Sequence, residues 1–257
     1  MPRRRRAAHA PRPVASPDDQ GPKYEAPAPE RVRVTNLAAV LGGLRPIVPE
    51  QQSRLGFEEN PSGFRLWCVG DVSLIRQRAV AIVGTREVSA EGAARARRLA
   101  RELVGASVVV VSGLARGVDT EALTAAIDAG GRVVAVIGTP IDKAYPAENR
   151  RLQERIHREH LLISQFEPGS RTFPSHFPER NKLMAALTDA SAIIEAGETS
   201  GTLHQATECI RLRRWLFIAN NVMQNPALRW PARFSSEPNV RTLIDTDDIL
   251  SVLPTHV

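Results

Sequence analysis

Cysteine is nearly absent from this chain, with Cys68 and Cys209 the two it has among 257 residues. They stand in no metal-ligand spacing and suggest no disulfide framework, which fits a reducing compartment. Long apolar runs are missing as well. Val108 to Val111 is typical of those present, far short of the roughly 20 apolar residues that a bilayer-spanning helix needs. The chain therefore reads as soluble, with no membrane partner. Its opening arginines lead into alanine and proline rather than an apolar segment, so no signal peptide is expected and a cytoplasmic location is.

Three kinds of enzyme site are also missing. A dinucleotide site wants Gly-x-Gly-x-x-Gly after the first strand and an acidic residue about 20 positions on; Gly84-Thr85-Arg86-Glu87 does not supply it. No Gly-x-x-x-x-Gly-Lys-Ser/Thr segment is present. His157, His160, His176 and His204 lie in unrelated contexts and read as surface residues rather than ligands. Glu195 and Glu208 are the acid–base candidates, but Glu195 closes a strand, where it reads as a structural group holding Arg180 or a helix N-terminus. No catalytic residue, metal or cofactor is expected.

What is present begins with charge. The net charge is +6, and Arg3, Arg4, Arg5, Arg6 and Arg12 carry five of those charges, leaving about +1 for residues 13–257. Residues 1–30 also hold seven prolines and few large apolar side chains, so they cannot bury enough surface to offset ordering entropy. Residues 1–34 are read as a disordered Arg/Pro-rich tail, either simply solvated or acting as a non-specific nucleic-acid arm. Residues 35–64 read as a lead-in, with a short helix over 35–44 ended by glycine and loop over 45–63.

From Arg65 short continuous apolar runs recur: Leu66–Val69, Val80–Val83, Val108–Val111, Val133–Ile137, Leu161–Ile163, Ala192–Ile194 and Trp215–Ile218. Runs of this kind are strands buried on both faces. Helical segments separate them, over Ser89–Val104, Thr120–Ala129, Glu148–Glu159, Lys182–Ala190 and Thr202–Arg213, with a last one at Thr246–Leu253. Strand and helix alternating in this way predict an α/β fold: a doubly wound, mainly parallel sheet with helices on both faces, spanning residues 65–257.

Ligands of such sheets bind beyond the carboxyl ends of the strands. The segments there are Gly84-Thr85-Arg86, Ser112-Gly113-Leu114-Ala115-Arg116-Gly117-Val118-Asp119, Gly138 to Lys143, Arg180-Asn181-Lys182, Glu195 to Thr202, and Asn220-Asn221. Four of these carry a cation and four carry glycine. Glycine lets backbone approach an anion closely, and arginine adds a fork matched to phosphate oxygens. Phe177-Pro178-Glu179-Arg180-Asn181-Lys182 is the most pointed of them, read as cations and an amide just ahead of a helix start, where backbone N–H groups favour phosphate. A near-neutral body with its loop cations on one rim implies a crevice for a phosphate-bearing ligand.

As a set, these motifs resemble the DNA-processing protein A (DprA/Smf) family. The residues that carry the likeness are Ala81 to Arg86, Ser112 to Asp119, Tyr145-Pro146-Ala147-Glu148-Asn149, Phe177 to Lys182, and Glu195-Ala196 with Ser200-Gly201-Thr202. The likeness runs from about Leu66 to Ala219. It implies an extended Rossmann domain that binds single-stranded DNA without established catalytic turnover. It also implies a role in DNA uptake and recombination during natural transformation, with a RecA-type recombinase and a second copy of the chain as partners. Carried over by motif, Arg86, Arg116, Arg180 and Lys182 contact phosphates. Gly84, Ser112, Gly113, Gly117, Ser200 and Gly201 give close backbone approach, and Asn181 is a polar contact; Thr85, Lys143 and Thr202 join them from the same loops. Four such cations imply a salt slope of roughly −3 for single-strand binding, and an aromatic content of 5% implies slight sequence preference.

The departures are local. Lys182 stands where the family has arginine, Gln165 where it has glutamate, and Pro140 where it has glycine. Ala219-Asn220-Asn221 replaces a Pro-Gly element. The family's N-terminal helical and C-terminal winged-helix domains do not fit the chain. A nucleotide phosphoribohydrolase of the "Lonely Guy" type is the alternative, but its Pro-Gly-Gly-x-Gly-Thr segment is replaced by Glu195-Ala196-Gly197. A scaffold without a ligand is the third reading.

Overall fold

The computed structural model of the chain describes residues 23–41, 45 and 65–254. A sheet of nine strands runs through it in the order β1-β2-β6-β5-β4-β3-β7-β8-β9. These strands are β1 (Arg33–Asn36), β2 (Arg65–Gly70), β3 (Ala79–Val83), β4 (Val109–Ser112), β5 (Val133–Ile137), β6 (Leu161–Ser164), β7 (Ala190–Ile193), β8 (Trp215–Ala219) and β9 (Val240–Leu243). The β1–β2 and β2–β6 pairs are antiparallel, and every other pair is parallel.

Helices cover both faces. One layer holds α1 (Leu37–Leu41), α5 (His176–Leu187) and α6 (Thr202–Arg211); the other holds α2 (Ala90–Gly105), α3 (Val118–Asp128), α4 (Arg150–Glu159) and α8 (Thr246–Leu250). A one-turn α7 (Asn220–Met223) follows β8. Strand β3 shows why its sequence is an unbroken apolar run. Ala79, Ala81 and Val83 enter one core layer, and Val80 and Ile82 enter the other. Side chains alternate between faces, and both faces are buried.

The strand order places the functional crevice. From β3 the chain winds outward through β4, β5 and β6, then returns to the opposite side of β3 as β7 and winds away through β8 and β9. Connections leave β3 and β7 in opposite directions, so the gap between their carboxyl ends is the topological switch point, where ligands of open α/β sheets bind.

Three expectations are corrected. The helix expected at Lys182 starts at His176, because Pro178 falls in its first turn. The backbone N–H groups there have no intrahelical partner, so a proline costs little. Arg180, Asn181 and Lys182 are consequently inside the helix rather than ahead of it. Residues 23–34, expected in the tail, lie against the body as a strap that ends in β1. Residues 1–22 lie outside the described residues. Strand β9 was not expected; as an edge strand with a mostly half-exposed pattern it carries no apolar run.

Candidate nucleic-acid interface

Three loops meet at the switch point and are stitched together by backbone. Thr85 N donates to Glu195 O (2.7 Å), and Val118 N donates to Thr85 O (3.2 Å). The glycines make this possible. A Cβ on Gly84 would stand 2.5 Å from Val118 Cγ2 and 2.8 Å from Glu195 O, and one on Gly117 would stand 2.3 Å from Thr85 O. Gly117 also has a φ of 72°, which favours glycine.

Glu195 closes the arrangement. Its carboxylate accepts from Ser89 N (3.2 Å) and Ser89 Oγ (2.6 Å), while Ser89 Oγ caps α2 through Gly92 N at 3.0 Å. A carboxylate at a helix N-terminus faces its unpaired N–H groups and dipole. The structural reading of Glu195 holds.

Two buried groups of opposite type, Asp119 and Arg180, form the inner end of the cleft. Asp119 Oδ2 accepts from Gly113 N (3.1 Å) and Ala115 N (3.3 Å). Arg180, 4% exposed, donates through Nη1 to Gly113 O and to Val136 O, the latter at 2.9 Å. Burial pushes the Asp119 carboxyl up against the opposing pull of Arg180. Burial pulls the Arg180 guanidinium down, while Asp119 raises it and Arg86 lowers it further. Arg180 thus ties the ends of β4 and β5 to α5, and its place against Gly113 leaves no room for a side chain there. Asn149 Nδ2 braces the same loop from outside, donating to Leu114 O (2.9 Å) and Thr120 Oγ1 (2.8 Å).

The resulting cleft encloses about 620 Å³. Gly84, Thr85 and Arg86 line one wall, Arg116 and Arg180 the second, and Asn181, Ser200, Gly201 and Thr202 the third. An adjoining pocket of about 180 Å³ adds Gly113, Gly138, Tyr145 and Glu148, with Phe177 shared between the two. Arg86 and Arg116 are the exposed cations of the mouth. Arg86 lies 5.4 Å over the Phe177 ring, and Arg116 pairs at 3.4 Å with Glu148, both side chains more than half exposed. Such a pair is weak and yields readily to a better anion. Asn181 Nδ2 donates to Gly201 O (3.1 Å), holding the loop ahead of α6.

Four sequence candidates fall outside the lining. Ser112 is buried and donates to Ile82 O at 2.7 Å. Gly117 serves the turn. Lys143 Nζ donates to Ser170 O at 2.9 Å, and Lys182 is close enough to Glu208 to favour its charged form. Phe177 and Asp119 also line the cleft and Asn149 braces its loop; the motifs contained all three, but none was named as a contact. Phe177 was legible as an aromatic next to the cation cluster; the other two have no local signal. Among the described residues no group of three His, Cys, Asp or Glu is placed to hold a metal, and no helix is long and apolar enough to cross a membrane.

A doubly wound α/β protein with a cleft rimmed by glycine and arginine at its switch point belongs to the class of open α/β sheets, whose ligands bind at that place. Comparison with known proteins narrows the class. Residues 47–253 match the family model described as DNA recombination-mediator protein A, and the chain belongs to that family. It is 41% identical over 138 residues to the DNA processing protein DprA of Streptococcus pneumoniae, covering 54% of this chain and 49% of that protein. It is 30% identical over 190 residues to DprA of Bacillus subtilis, covering 74% and 64%. The matched regions thus span about half to two thirds of those relatives. The solved structure of S. pneumoniae DprA superposes with a TM-score of 0.72 at 29% identity, covering 88% of this chain and 76% of that one. DNA processing protein A of Helicobacter pylori, whose structure describes a single-stranded DNA binding mode, superposes at 0.67 and 24% identity, covering 85% and 94%; that likeness is one of fold.

Proposed function

We propose that the chain binds single-stranded DNA without sequence preference, in the cleft between the carboxyl ends of β3 and β7. The observation that carries this reading is the pair of exposed guanidiniums, Arg86 and Arg116, at the mouth of a cleft whose loops pack closely through Gly84 and Gly117. Guanidiniums at the mouth suit phosphates, and a cleft of about 620 Å³ suits a thin, flexible strand more than a duplex. Membership of a recombination-mediator family and the likeness to DprA proteins support the nucleic-acid ligand. Recombination and transformation, delivery of the strand to a RecA-type recombinase, self-association and a cytoplasmic setting belong to the same proposal. The phosphoribohydrolase reading is disfavoured, because Glu195, an acid–base candidate of the sequence, is held by Ser89 at the α2 N-terminus.

Fluorescence anisotropy with a labelled oligonucleotide tests it. Each phosphate held contributes about −0.7 to the slope of log affinity against log salt. The Arg86→Ala, Arg116→Ala double variant should therefore lose about 1.4 units of slope. Absence of binding at low salt, or an unchanged slope in the double variant, would overturn the reading.

A further inference from the structure

The third wall of the cleft is a loop. Thr85 N holds the first wall to Glu195 O (2.7 Å), and Arg180 holds the second to the ends of β4 and β5. Between Glu195 and the start of α6 at Thr202, the chain runs through residues 197–201, of which Gly197, Thr199, Ser200 and Gly201 line the cleft. A Cβ on Gly197 or on Gly201 would meet nothing within 4 Å, so close packing does not fix either position.

Among the described residues, two side chains join this loop to other segments by hydrogen bonds. Asn181 Nδ2 donates to Gly201 O (3.1 Å). Glu198 Oε1 accepts from Arg229 N and from Trp230 N, the latter at 3.3 Å. These two N–H groups stand just before the short turn Pro231–Arg233, where backbone donors lack a partner within the turn, and a carboxylate is a strong acceptor for them. Trp230 is fully buried in the core layer that holds α5 and α6, edge-on to Phe234 at 6.1 Å. An exposed loop of the cleft is thus hung on a core residue 32 positions away. A carboxylate between two lining residues does not serve a phosphate by its charge, which repels the ligand.

We propose, resting on the DNA-binding reading above, that Glu198 is a positioning residue of the cleft. It clasps the loop 197–201 to the Trp230 turn and holds the third wall at the width that a single strand needs. Without the clasp the loop samples other positions, and affinity falls with the fraction of time that the wall spends in place.

Opposite signs make the test. If Glu198 contributed charge alone, removing it would tighten phosphate binding; if it is a clasp, removing it weakens binding. Glu198→Ala should bind a labelled single-stranded oligonucleotide on the order of fivefold more weakly. Its salt slope should be unchanged, because the slope counts phosphates neutralised and Arg86 and Arg116 remain. Glu198→Gln keeps an oxygen that accepts from both N–H groups and should restore the affinity. Glu198 is exposed, so neither change touches the core. Hydrogen exchange reads the clasp without DNA: the amides of 197–201 should exchange faster in Glu198→Ala than in the parent protein. Equal or tighter binding by Glu198→Ala, equal weakening by Glu198→Gln, or unchanged exchange would each overturn the clasp and leave the DNA reading standing. No binding by the parent protein at low salt would overturn the DNA reading, and with it the clasp's part in it.

Discussion

An arginine with 4% of its surface exposed, such as Arg180, is held by what it donates to. An arginine in water, such as Arg86, is free to find a ligand and rests meanwhile over an aromatic ring. Removing each should therefore fail in a different assay. Arg180→Met leaves the buried carbonyls of Gly113 and Val136 without their donor and should cost about 1–3 kcal/mol in urea denaturation. Arg86→Ala should change stability by less than about 0.5 kcal/mol while weakening oligonucleotide binding. A stable, weakly binding Arg180→Met protein would show that the guanidinium serves the ligand and not the floor of the cleft.

Among the elements, α4 and the strap on it form a unit with its own pH response. His157, 2% exposed, meets Glu25 O through one ring nitrogen and leaves the other without a partner among the described residues. His160 leaves both ring nitrogens so. Burial pulls the pKa of both below the usual histidine value, with Arg158 and Arg31 lowering His157 further and Arg132 and Arg155 adding to His160. A histidine lowered in the folded state binds fewer protons than in the unfolded chain near its ordinary pKa of about 6.5. Stability is therefore full above that value and falls as pH drops through it. Thermal melts should show Tm declining from pH 7.5 to 5.5, and a His157→Gln, His160→Asn variant should flatten the decline. An equal decline in that variant would place the response elsewhere, for instance at His176, whose pKa burial also lowers.

For the molecule as a whole, the β3–β7 junction is secured at both ends. At the carboxyl end it opens as the cleft; at the amino end it is closed by ions. Asp189 accepts from Ala79 N (2.9 Å) and from Arg45 Nε and Nη2 (2.8 and 2.7 Å), while Arg45 also donates to Ile75 O and, at 2.6 Å, to Gln77 O. Arg45 is 1% exposed, so Arg45→Met, which strands the Asp189 carboxylate, should cost about 3–5 kcal/mol. Far from the cleft, it should leave the oligonucleotide affinity of the folded protein unchanged. A parallel loss of affinity would mean that the junction transmits strain along both strands.

The strands buried on both faces were legible because such strands must be apolar throughout, and so were α2, α3, α4 and α6, which carry clear caps or apolar stripes. Edge strands β1 and β9 were not, since half-exposed residues carry no such pattern. The start of α5 was hidden by Pro178, a breaker everywhere except the first turn. In the cleft, the glycines and the exposed arginines Arg86 and Arg116 could be read from residue type and from their place after a strand. Lys143 and Lys182 read the same way and lie outside the lining. Whether a cation faces a cleft, a carbonyl or a carboxylate depends on neighbours brought from distant segments: Arg180 meets Gly113 and Val136, and Lys143 meets Ser170. Local chemistry by itself determined the α/β fold and the loops that form the cleft. Only the tertiary structure decided which charges stay in water and which are consumed by the fold, because burial and partners are properties of the assembled chain.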